Sequence, residues 1–432
     1  MKSLITNVIV NKGKAKIFGK AISISILNQI ISSGTNLVLG IYLARVLTHS
    51  EFGLYGIGFA IVLLYSSIGN ALFLTQMVIH VPDKAPEDRM PYAARMFILL
   101  VFFSLLTIFV VVLILFLDSI WSQLLNKYTN FCIAATALSI PYLIKDFLVR
   151  HSYTLHKEVW ALVINIFIAV TLFALLFLQQ QLPEKIDSVS VQWIYAVSNM
   201  TGVVIGLTLS RLPIFSLRLR EITYDAREAW VGGGWALGGS LVFWLQSQAY
   251  VYITAYFLGS AGVGHANAAR LLITPVLFVI TAITQMAMPR LAELRTTNPR
   301  KILKMSSMVT LALVVFSIVY SIFLLAFLDK ITPILLASHQ YDQIAPLAAA
   351  WCLVLILQTS RNGTIIVLQV IKNFRDLTLV NTFSAIISIV ATIILIQQVG
   401  AEGAILGIAL AELVFCICIF FVVRKYKLNG VF

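Results

Sequence analysis

Long runs of apolar residues alternate with short polar segments along the whole chain. Each of these runs reaches about the 20 residues that a helix needs to cross about 30 Å of hydrocarbon. The runs are 21–44, 53–79, 93–117, 130–154, 159–179, 189–210, 232–258, 263–288, 305–328, 345–368, 375–397 and 403–423. The pattern predicts an all-α integral membrane protein with twelve transmembrane helices.

Composition supports the membrane assignment and excludes several kinds of site. Hydrophobic residues make up 60% of the chain and charged residues 11%, which excludes a water-soluble domain of this length. There is no glycine-rich phosphate loop ending in Lys-Ser/Thr and no HExxH motif. Cys132, Cys352, Cys416 and Cys418 all fall in predicted helices, without the spacing of metal ligands. We therefore expect no cofactor, no metal and no enzymatic activity.

The positive charges are distributed unevenly between the two sets of alternate gaps. Of the 31 Lys and Arg residues, only Arg45, Lys127, Lys185 and Lys330 fall in one set, and Arg270 lies inside a helix. Short loops rich in Lys and Arg stay in the cytoplasm, so both termini are predicted to be cytoplasmic. The basic residues are scattered over short loops rather than clustered, which favours contact with lipid headgroups over nucleic-acid binding.

An internal repeat appears when the chain is compared with itself at an offset of 211 residues. The matched pairs are 47–53 with 258–264, 113–125 with 324–336, and Arg150 with Arg361. The repeat predicts two parallel six-helix lobes, residues 1–215 and 216–432, linked by the basic segment 211–229. Parallel repeats of this kind enclose a central cavity and allow alternating access to it.

Three short segments carry a family resemblance. They are Leu43–Gly56 (LARVLTHSEFGLYG), Leu258–Arg270 (LGSAGVGHANAAR) and Gly400–Gly407 (GAEGAILG). These segments resemble two turns between helices and the start of the final helix in bacterial polysaccharide exporters. His265 and Ala266 depart from the pattern, because many members carry an aromatic residue there. The chain is similar to O-antigen and related lipid-linked oligosaccharide flippases of the Wzx type, in the multidrug/oligosaccharidyl-lipid/polysaccharide superfamily.

The resemblance implies a function and its partners. Such a protein moves an undecaprenyl-pyrophosphate-linked oligosaccharide from the cytoplasmic to the periplasmic leaflet of the bacterial inner membrane. Its partners would be that lipid-linked substrate, membrane lipid and a polysaccharide polymerase. One alternative is a multidrug or cation antiporter of the same superfamily, although the first helix lacks the acidic residue common in those exporters. Another is a membrane enzyme acting on lipid-linked glycans, although such enzymes tend to have a large outer loop.

The predicted substrate site depends on arginines at membrane depth, because a pyrophosphate crossing hydrocarbon needs fixed positive charge. Arg270 lies inside a helix, just before Pro275. Arg150 and Arg361 occupy equivalent positions in the two halves and could form a two-sided clamp. The alternatives left open are that Arg270 extends to the interface and that the other two arginines anchor helix ends.

Further candidates are polar residues of the predicted helices. Those assigned to substrate binding are Lys145, Asn362, Arg45, Asn28, Asn36, Gln246, Gln248, Tyr252 and Asn267. Their neutral polar groups suit sugar hydroxyls, but hydrogen bonding between helices explains them equally well. Glu412 and Asp146 are the carboxylates assigned to coupling. Asp146 can instead neutralise Arg150 at i,i+4, and Glu412 can pair with another polar residue.

Overall fold

The computed structural model describes residues 2–81, 83–121, 123, 126–183, 185–214, 219–297, 300–336, 344–371 and 373–428. Within these ranges the chain is helical, with short turns and no β-strand. The structure does not describe the side chains of Met1–Ile22 or those of a few later residues, including Lys127, Gln285 and Arg290. The all-α class predicted from the apolar pattern is therefore confirmed.

Thirteen α-helices follow one another along the described chain. They are α1 (Lys2–Val46), α2 (His49–Gly69), α3 (Thr75–His80), α4 (Pro86–Trp121), α5 (Thr129–Thr154), α6 (Glu158–Gln180), α7 (Ser188–Ser210), α8 (Leu219–Thr297), α9 (Arg300–Ala326), α10 (Leu328–Leu335), α11 (Ile344–Val370), α12 (Phe374–Val399) and α13 (Ala401–Leu428). A π-helical turn, Asn70–Leu74, joins α2 to α3. The predicted spans agree with these bounds to within a few residues, except that α1 and α4 begin well before the predicted residues 21 and 93 and that α8 contains two spans.

Helix α8 contains two of the predicted spans, which meet at Gly259. This residue has φ of 70° and ψ of −177°, outside the helical region. Residues 17 positions apart in a straight helix would be separated by about 25 Å. Yet the hydroxyl of Tyr250 donates a hydrogen bond of 2.8 Å to Asn267 Oδ1. The chain therefore turns back at Gly259, as the predicted turn between residues 258 and 263 requires.

Eleven helical segments of the described chain are long and apolar enough to cross a membrane. One of them, Ala236–Thr284, has 49 residues and holds both spans that meet at Gly259. Exposed side chains on α4 are mostly apolar, and Phe102, Phe109 and Trp121 are examples. Such a surface is stable in lipid and would aggregate in water. The chain is a multi-pass membrane protein.

The chain folds into two compact units whose boundaries lie inside helices. The first unit comprises residues 1–36 and 61–238, and the second comprises residues 37–60 and 239–432. The second unit thus includes the end of α1 and the start of α2. The division at residue 215 expected from the repeat stays a prediction.

In the first unit, α7 packs closely against α5 and α6 through glycines. A Cβ atom on Gly202 would meet the side chain of Ile168, and one on Gly206 would meet those of Leu148 and Ile164. Small residues four positions apart let membrane helices approach closely, so that van der Waals contacts stabilise the pair.

A cluster of ion pairs joins α4 to the beginning of α8 within the first unit. Arg95 is buried and pairs with Asp225 through Nε and with Glu221 through Nη1, the latter at 3.0 Å. Lys84 lies 4.0 Å from Glu228. Burial raises the pKa of the Asp225 carboxyl, and the hydrogen bond and charge of Arg95 oppose that rise. The three acidic groups recur every three or four residues, so one face of α8 is held against α4.

In the second unit, the start of α2 packs against the turn of α8 through two glycines. A Cβ atom on Gly53 would overlap the carbonyl oxygen of Ser260, and one on Gly264 would overlap the carbonyl oxygen of His49. At the offset of 211 residues, His49 is equivalent to Ser260 and Gly53 is equivalent to Gly264. The contact of Gly53 with Ser260 is therefore the repeat equivalent of the contact of Gly264 with His49. The two glycine contacts are therefore related by the same offset of 211 residues.

The rest of the second unit is a helical cluster built from α8, α9, α11, α12 and α13. Gly363 of α11 accepts a hydrogen bond of 2.8 Å at its carbonyl oxygen from Ser306 of α9, and a Cβ atom there would overlap Thr310. Gly407 of α13 is packed as closely against Thr392 of α12. These close approaches hold α11 and α13 in place, and both helices contribute to the cavity described next.

Candidate functional site

A cavity of about 340 Å³ lies in the second unit, between α8, α11 and α13. Its walls carry both charged and apolar side chains. They are Phe243, Gln246, Ser247, Arg270, Leu277, Ile280, Thr281, Trp351, Gln358, Arg361, Asn362, Ile408 and Glu412. The volume is within the range of small-molecule sites, about 300–1,000 Å³. Three charged residues around a cavity are unusual in a membrane helix bundle, because uncompensated charge is costly there.

Helical spacing explains why these side chains converge. On α11, Gln358, Arg361 and Asn362 are three or four residues apart, so they share one face. Ile408 and Glu412 of α13 are likewise four apart. Because α8 reverses at Gly259, Gln246 and Arg270 reach the same cavity from the two arms of one helix.

The guanidinium group of Arg270 lies beside two aromatic rings, Tyr250 and Trp351, which contact each other edge to face. Its central carbon lies 5.3 Å from the ring centroid of Trp351 and 5.9 Å from that of Tyr250. Its Nη1 donates a hydrogen bond of 3.2 Å to the Tyr250 hydroxyl. Trp351 is fixed in turn by donating to the carbonyl oxygen of Ala266 at 2.9 Å. No acidic group of the described residues forms an ion pair with Arg270, so aromatic faces and one hydroxyl stabilise its charge.

Arg361 forms an ion pair with Glu412 across the cavity wall. Arg361 Nε lies 3.0 Å from Glu412 Oε2, and the side chains are 11% and 2% exposed, respectively. Gln358 donates a hydrogen bond of 3.1 Å to Glu412 Oε1. The guanidinium carbon of Arg361 lies 4.6 Å from the ring centroid of Phe415.

Some polar atoms of the cavity residues have no hydrogen-bond partner among the described residues. They are Gln246 Oε1, Arg361 Nη1, Arg361 Nε and Glu412 Oε2, all buried, and the last two face each other in the ion pair. The amide nitrogen of Gln246, Nε2, donates a hydrogen bond of 3.2 Å to Ser384 Oγ. Buried polar atoms in native proteins are nearly always hydrogen-bonded, to protein, water or ligand. An unpartnered guanidinium N–H and an unpartnered amide oxygen, both on residues that line the cavity, therefore fit a ligand with both acceptors and donors.

A second, much smaller cavity, about 20 Å³, lies within the first unit. Its lining residues are Ser32, Thr35, Asn36, Lys145, Asn165, Ile168, Tyr195 and Asn199. Lys145 Nζ forms an ion pair of 2.6 Å with Asp146 and lies 4.3 Å from the ring centroid of Tyr142. This cavity has room for about one water molecule. It suits a bridging water rather than a sugar.

Hydrogen bonds between helices involve the other predicted polar residues of the first unit. Asn28 donates to the Tyr153 hydroxyl at 2.7 Å and accepts from Asn165 at 2.8 Å. Asn36 accepts from the Tyr195 hydroxyl at 2.7 Å. These contacts link α1 to α5, α6 and α7 and stabilise the bundle.

The structure therefore brings five of the predicted site residues together around the larger cavity, namely Arg270, Arg361, Asn362, Gln246 and Glu412. Lys145 and Asn36 lie at the small cavity of the first unit. Arg150, Arg45, Gln248, Tyr252 and Asn267 line neither cavity. Asp146 pairs with Lys145, its neighbour in sequence.

Two residues outside the cavities have other partners. Arg45 donates to the carbonyl oxygens of Leu335, at 3.1 Å, and Ile334 at the end of α10. It therefore satisfies carbonyl groups that a helix end leaves without intrahelical partners. Asn267 accepts the hydrogen bond from Tyr250 and so helps to hold the aromatic ring next to Arg270.

Sequence reasoning missed Gln358 and Trp351 as cavity residues, and it considered Tyr250 only as a neutral polar group for sugar hydroxyls or for hydrogen bonds between helices. The signal for Gln358 was available, since it precedes Arg361 by three residues on the same helical face. No comparable signal marks Trp351 and Tyr250, because their role depends on the turn at Gly259. Among the described residues, no cluster of three or more His, Cys, Asp or Glu side chains could hold a metal ion.

Comparison with protein families identifies the chain. The model of the family described as "Polysaccharide biosynthesis protein" matches residues 18–295, more than half of the sequence. The chain belongs to this family. A comparison with curated protein sequences found no match.

The solved structures that resemble this member of the polysaccharide biosynthesis protein family are membrane transport proteins. The lipid II flippase MurJ in an inward closed conformation has a TM-score of 0.72 and 11% identity, over 95% of this chain and 87% of MurJ. An inward-facing MATE family multidrug transporter of the MOP superfamily has a TM-score of 0.66 and 15% identity, over 93% of this chain and 95% of the other. An outward-facing MATE family multidrug transporter of the MOP superfamily has a TM-score of 0.60 and 15% identity, over 96% of this chain and 96% of the other.

At these identities the likeness establishes the fold. The family member described here has the fold of MurJ and of the MATE family transporters, as the family resemblance implied. The proteins that share this fold are a flippase and transporters rather than enzymes.

Proposed function

We propose that this protein is a flippase for a polyprenyl-pyrophosphate-linked oligosaccharide, such as an O-antigen unit or a related surface polysaccharide unit. The observation that carries the proposal is the cavity of the second unit, where Arg270 and Arg361 face a common space at membrane depth. Membership in the polysaccharide biosynthesis protein family supports a saccharide substrate. The likeness to a flippase fold supports movement of a lipid-linked molecule.

The chemistry of the two arginines favours a pyrophosphate. A guanidinium group presents several N–H donors in a plane and binds phosphate oxygens in a bidentate manner. Arg361 has a buried Nη1 without a partner, and Arg270 has a single hydrogen-bonded partner among the residues described, the Tyr250 hydroxyl. Both groups therefore retain donors for an incoming anion. Charge-assisted bonds of this kind are about twice as strong as neutral ones.

The remaining walls suit the other parts of the substrate. Gln246, Gln358 and Asn362 offer amide groups for sugar hydroxyls, and Trp351 offers an aromatic face. Leu277 and Ile280 form apolar wall next to the charged groups. A polyprenyl chain needs a hydrocarbon environment, whereas the head group needs the polar wall. A cavity with both kinds of wall meets these needs together.

The proposal includes sidedness and mechanism. Both termini would lie in the cytoplasm of a bacterial cell, in the inner membrane, and the substrate would move from the cytoplasmic to the periplasmic leaflet. Alternating access by the two halves of the repeat would expose the cavity to each side in turn. Substrate binding shifts such an equilibrium only through a difference in affinity between the two states. A polysaccharide polymerase acting on the delivered units would be a partner.

A multidrug antiporter is the second candidate function, because a buried carboxylate also lines the cavity. Glu412 could pair with a cationic drug, and multidrug transporters share this fold. Two arginines against one glutamate make the cavity net positive, however, and a cation would be repelled. The charge balance therefore favours the anionic substrate.

A translocation assay tests the proposal. Proteoliposomes containing the purified protein would receive a fluorescent polyprenyl-pyrophosphate oligosaccharide in both leaflets, and a membrane-impermeant quencher would be added outside. We expect the quenchable fraction to approach completeness with protein and to stay near half in empty liposomes. Uptake of a cationic dye by the same vesicles is the matched measurement. Dye transport together with a quenchable fraction near half would contradict the flippase function and support the antiporter.

A further inference from the structure

The three charged groups of the larger cavity do not balance a pyrophosphate substrate. Arg270 and Arg361 each carry one positive charge, and Glu412 carries one negative charge when ionised. The empty cavity therefore has a net charge of one positive unit. A pyrophosphate that joins a lipid to a sugar carries two negative charges at neutral pH. The occupied cavity would then hold one uncompensated negative charge.

Burial makes that imbalance costly. The Glu412 side chain is 2% exposed, and its nearest positive charge is Arg361, at 3.0 Å. When an anion binds the guanidinium of Arg361, the same positive charge must serve both the anion and the carboxylate. Two negative charges near each other in a medium of low dielectric repel strongly, and a carboxyl group in that position takes up a proton.

We propose that binding of a pyrophosphate head group to this cavity is coupled to the uptake of one proton by Glu412. The proton comes from water and forms an O–H bond at the carboxylate, which converts it into a neutral carboxylic acid. The charges of the occupied cavity then sum to zero. This inference rests on the proposed function, and it names the group that would take up the proton.

The surroundings of Glu412 provide no other group for this role among the described residues. Gln358 and Arg361 face it from α11, and Arg270 lines the same cavity from α8. Cys416, one turn further along α13, donates its thiol hydrogen to the carbonyl oxygen of Leu357 at 3.5 Å. Helix α12 contributes the neutral hydroxyl of Ser384, which donates to the carbonyl oxygen of Ala411 at 2.8 Å.

Gln358 is suited to both states of the carboxyl group. Its Nε2 donates to Glu412 Oε1 at 3.1 Å, a bond that an ionised carboxylate accepts. A protonated carboxyl keeps one carbonyl-type oxygen, which still accepts that bond, and gains an O–H donor. The proton can therefore be added without breaking the contact between α11 and α13, and Arg361 is released towards the anion.

Charge balance also predicts how the coupling depends on the ligand. A lipid linked to sugar through a single phosphate carries one negative charge, which the empty cavity already balances. Binding of this monophosphate analogue should therefore involve no proton. Neither ligand titrates near neutral pH, because each ionisable phosphate oxygen is strongly acidic. Any proton that is taken up on binding is therefore bound by the protein and not by the ligand.

Isothermal titration calorimetry of the purified full-length protein in detergent tests the inference. The probes are a short-chain polyprenyl-pyrophosphate disaccharide and the matching monophosphate, each measured in two buffers of different ionisation enthalpy. We expect uptake of about one proton with the pyrophosphate and none with the monophosphate. By linkage, raising the pH by one unit should weaken pyrophosphate binding up to tenfold and leave monophosphate binding unchanged.

The variant E412Q identifies the group. Glutamine keeps the size and one acceptor oxygen, so we expect pyrophosphate binding with no proton uptake. Pyrophosphate binding to the wild-type protein without proton uptake would overturn the inference and leave the flippase proposal intact. Proton uptake that persists in E412Q would overturn the assignment to Glu412. Binding of neither ligand would overturn the proposed function, and the inference would fall with it.

Discussion

Replacing Arg270 with alanine is expected to reduce flipping of the pyrophosphate-linked substrate by about 100-fold or more. Hydrogen bonds to charged groups contribute about 1.5–3 kcal/mol each, so losing two to the anion costs about 3–6 kcal/mol. A factor of ten in affinity corresponds to about 1.4 kcal/mol. Little of the loss should come from unfolding, because Arg270 forms no ion pair that would leave an acidic partner of the described chain unsatisfied. The initial rate in the proteoliposome assay measures the effect.

Two further variants separate charge from geometry in that experiment. Arg270→Lys keeps the positive charge but loses the planar guanidinium group that lies beside Tyr250 and Trp351, so we expect a loss of about tenfold. Arg424→Ala removes an exposed arginine near the end of α13 and should leave the rate within about twofold. An Arg270→Ala protein as active as Arg424→Ala would show that Arg270 does not contact the substrate.

Replacing Arg361 with alanine is expected to destabilise the protein by about 3–5 kcal/mol, because the buried carboxylate of Glu412 loses its countercharge. Glu412→Ala should destabilise it comparably, since it leaves a buried guanidinium unpaired. The double variant removes both charges and should be close to the wild type in stability. Thermal unfolding in detergent, followed by tryptophan fluorescence, measures all four proteins.

The double-mutant cycle gives this prediction its control. If each single variant loses about 3–5 kcal/mol and the double variant almost nothing, the coupling free energy between Arg361 and Glu412 is about 6–10 kcal/mol, and for residues that do not interact it would be near zero. A double variant at least as unstable as the sum of the single ones would contradict the ion pair. Flipping should be lost in the double variant even though its stability is restored, because Arg361 is also part of the proposed anion site.

Most of the fold could be predicted from the sequence because apolar runs and positive charges report directly on membrane crossings. The twelve spans were predicted to within a few residues, and the turn at Gly259 coincides with a predicted short loop. The start of α4 at Pro86 and the continuous helix of α8 before residue 232 were not predicted, since both segments are polar. Their helices are held by the ion pairs of Arg95, which join residues 126 and 130 positions apart.

The candidate site was predictable where a single charged residue interrupts an apolar helix. Arg270 and Glu412 stand out for that reason, and both line the larger cavity. The pairing of Arg361 with Glu412 was not predictable, because it depends on how α11 packs against α13. The same limit applies to the aromatic rings around Arg270. Asn28, Asn36 and Gln246 are all neutral polar residues within predicted apolar helices, so the sequence does not distinguish them. Asn28 and Asn36 nevertheless form hydrogen bonds between helices of the first unit.

A structure of the protein with a polyprenyl-pyrophosphate oligosaccharide bound, determined by electron cryomicroscopy in lipid nanodiscs, tests the central claim most directly. We expect the two phosphorus atoms in the cavity of the second unit, with phosphate oxygens within about 3 Å of guanidinium nitrogens of Arg270 and Arg361. Density for the pyrophosphate outside this cavity, with the ion pair between Arg361 and Glu412 intact, would contradict it.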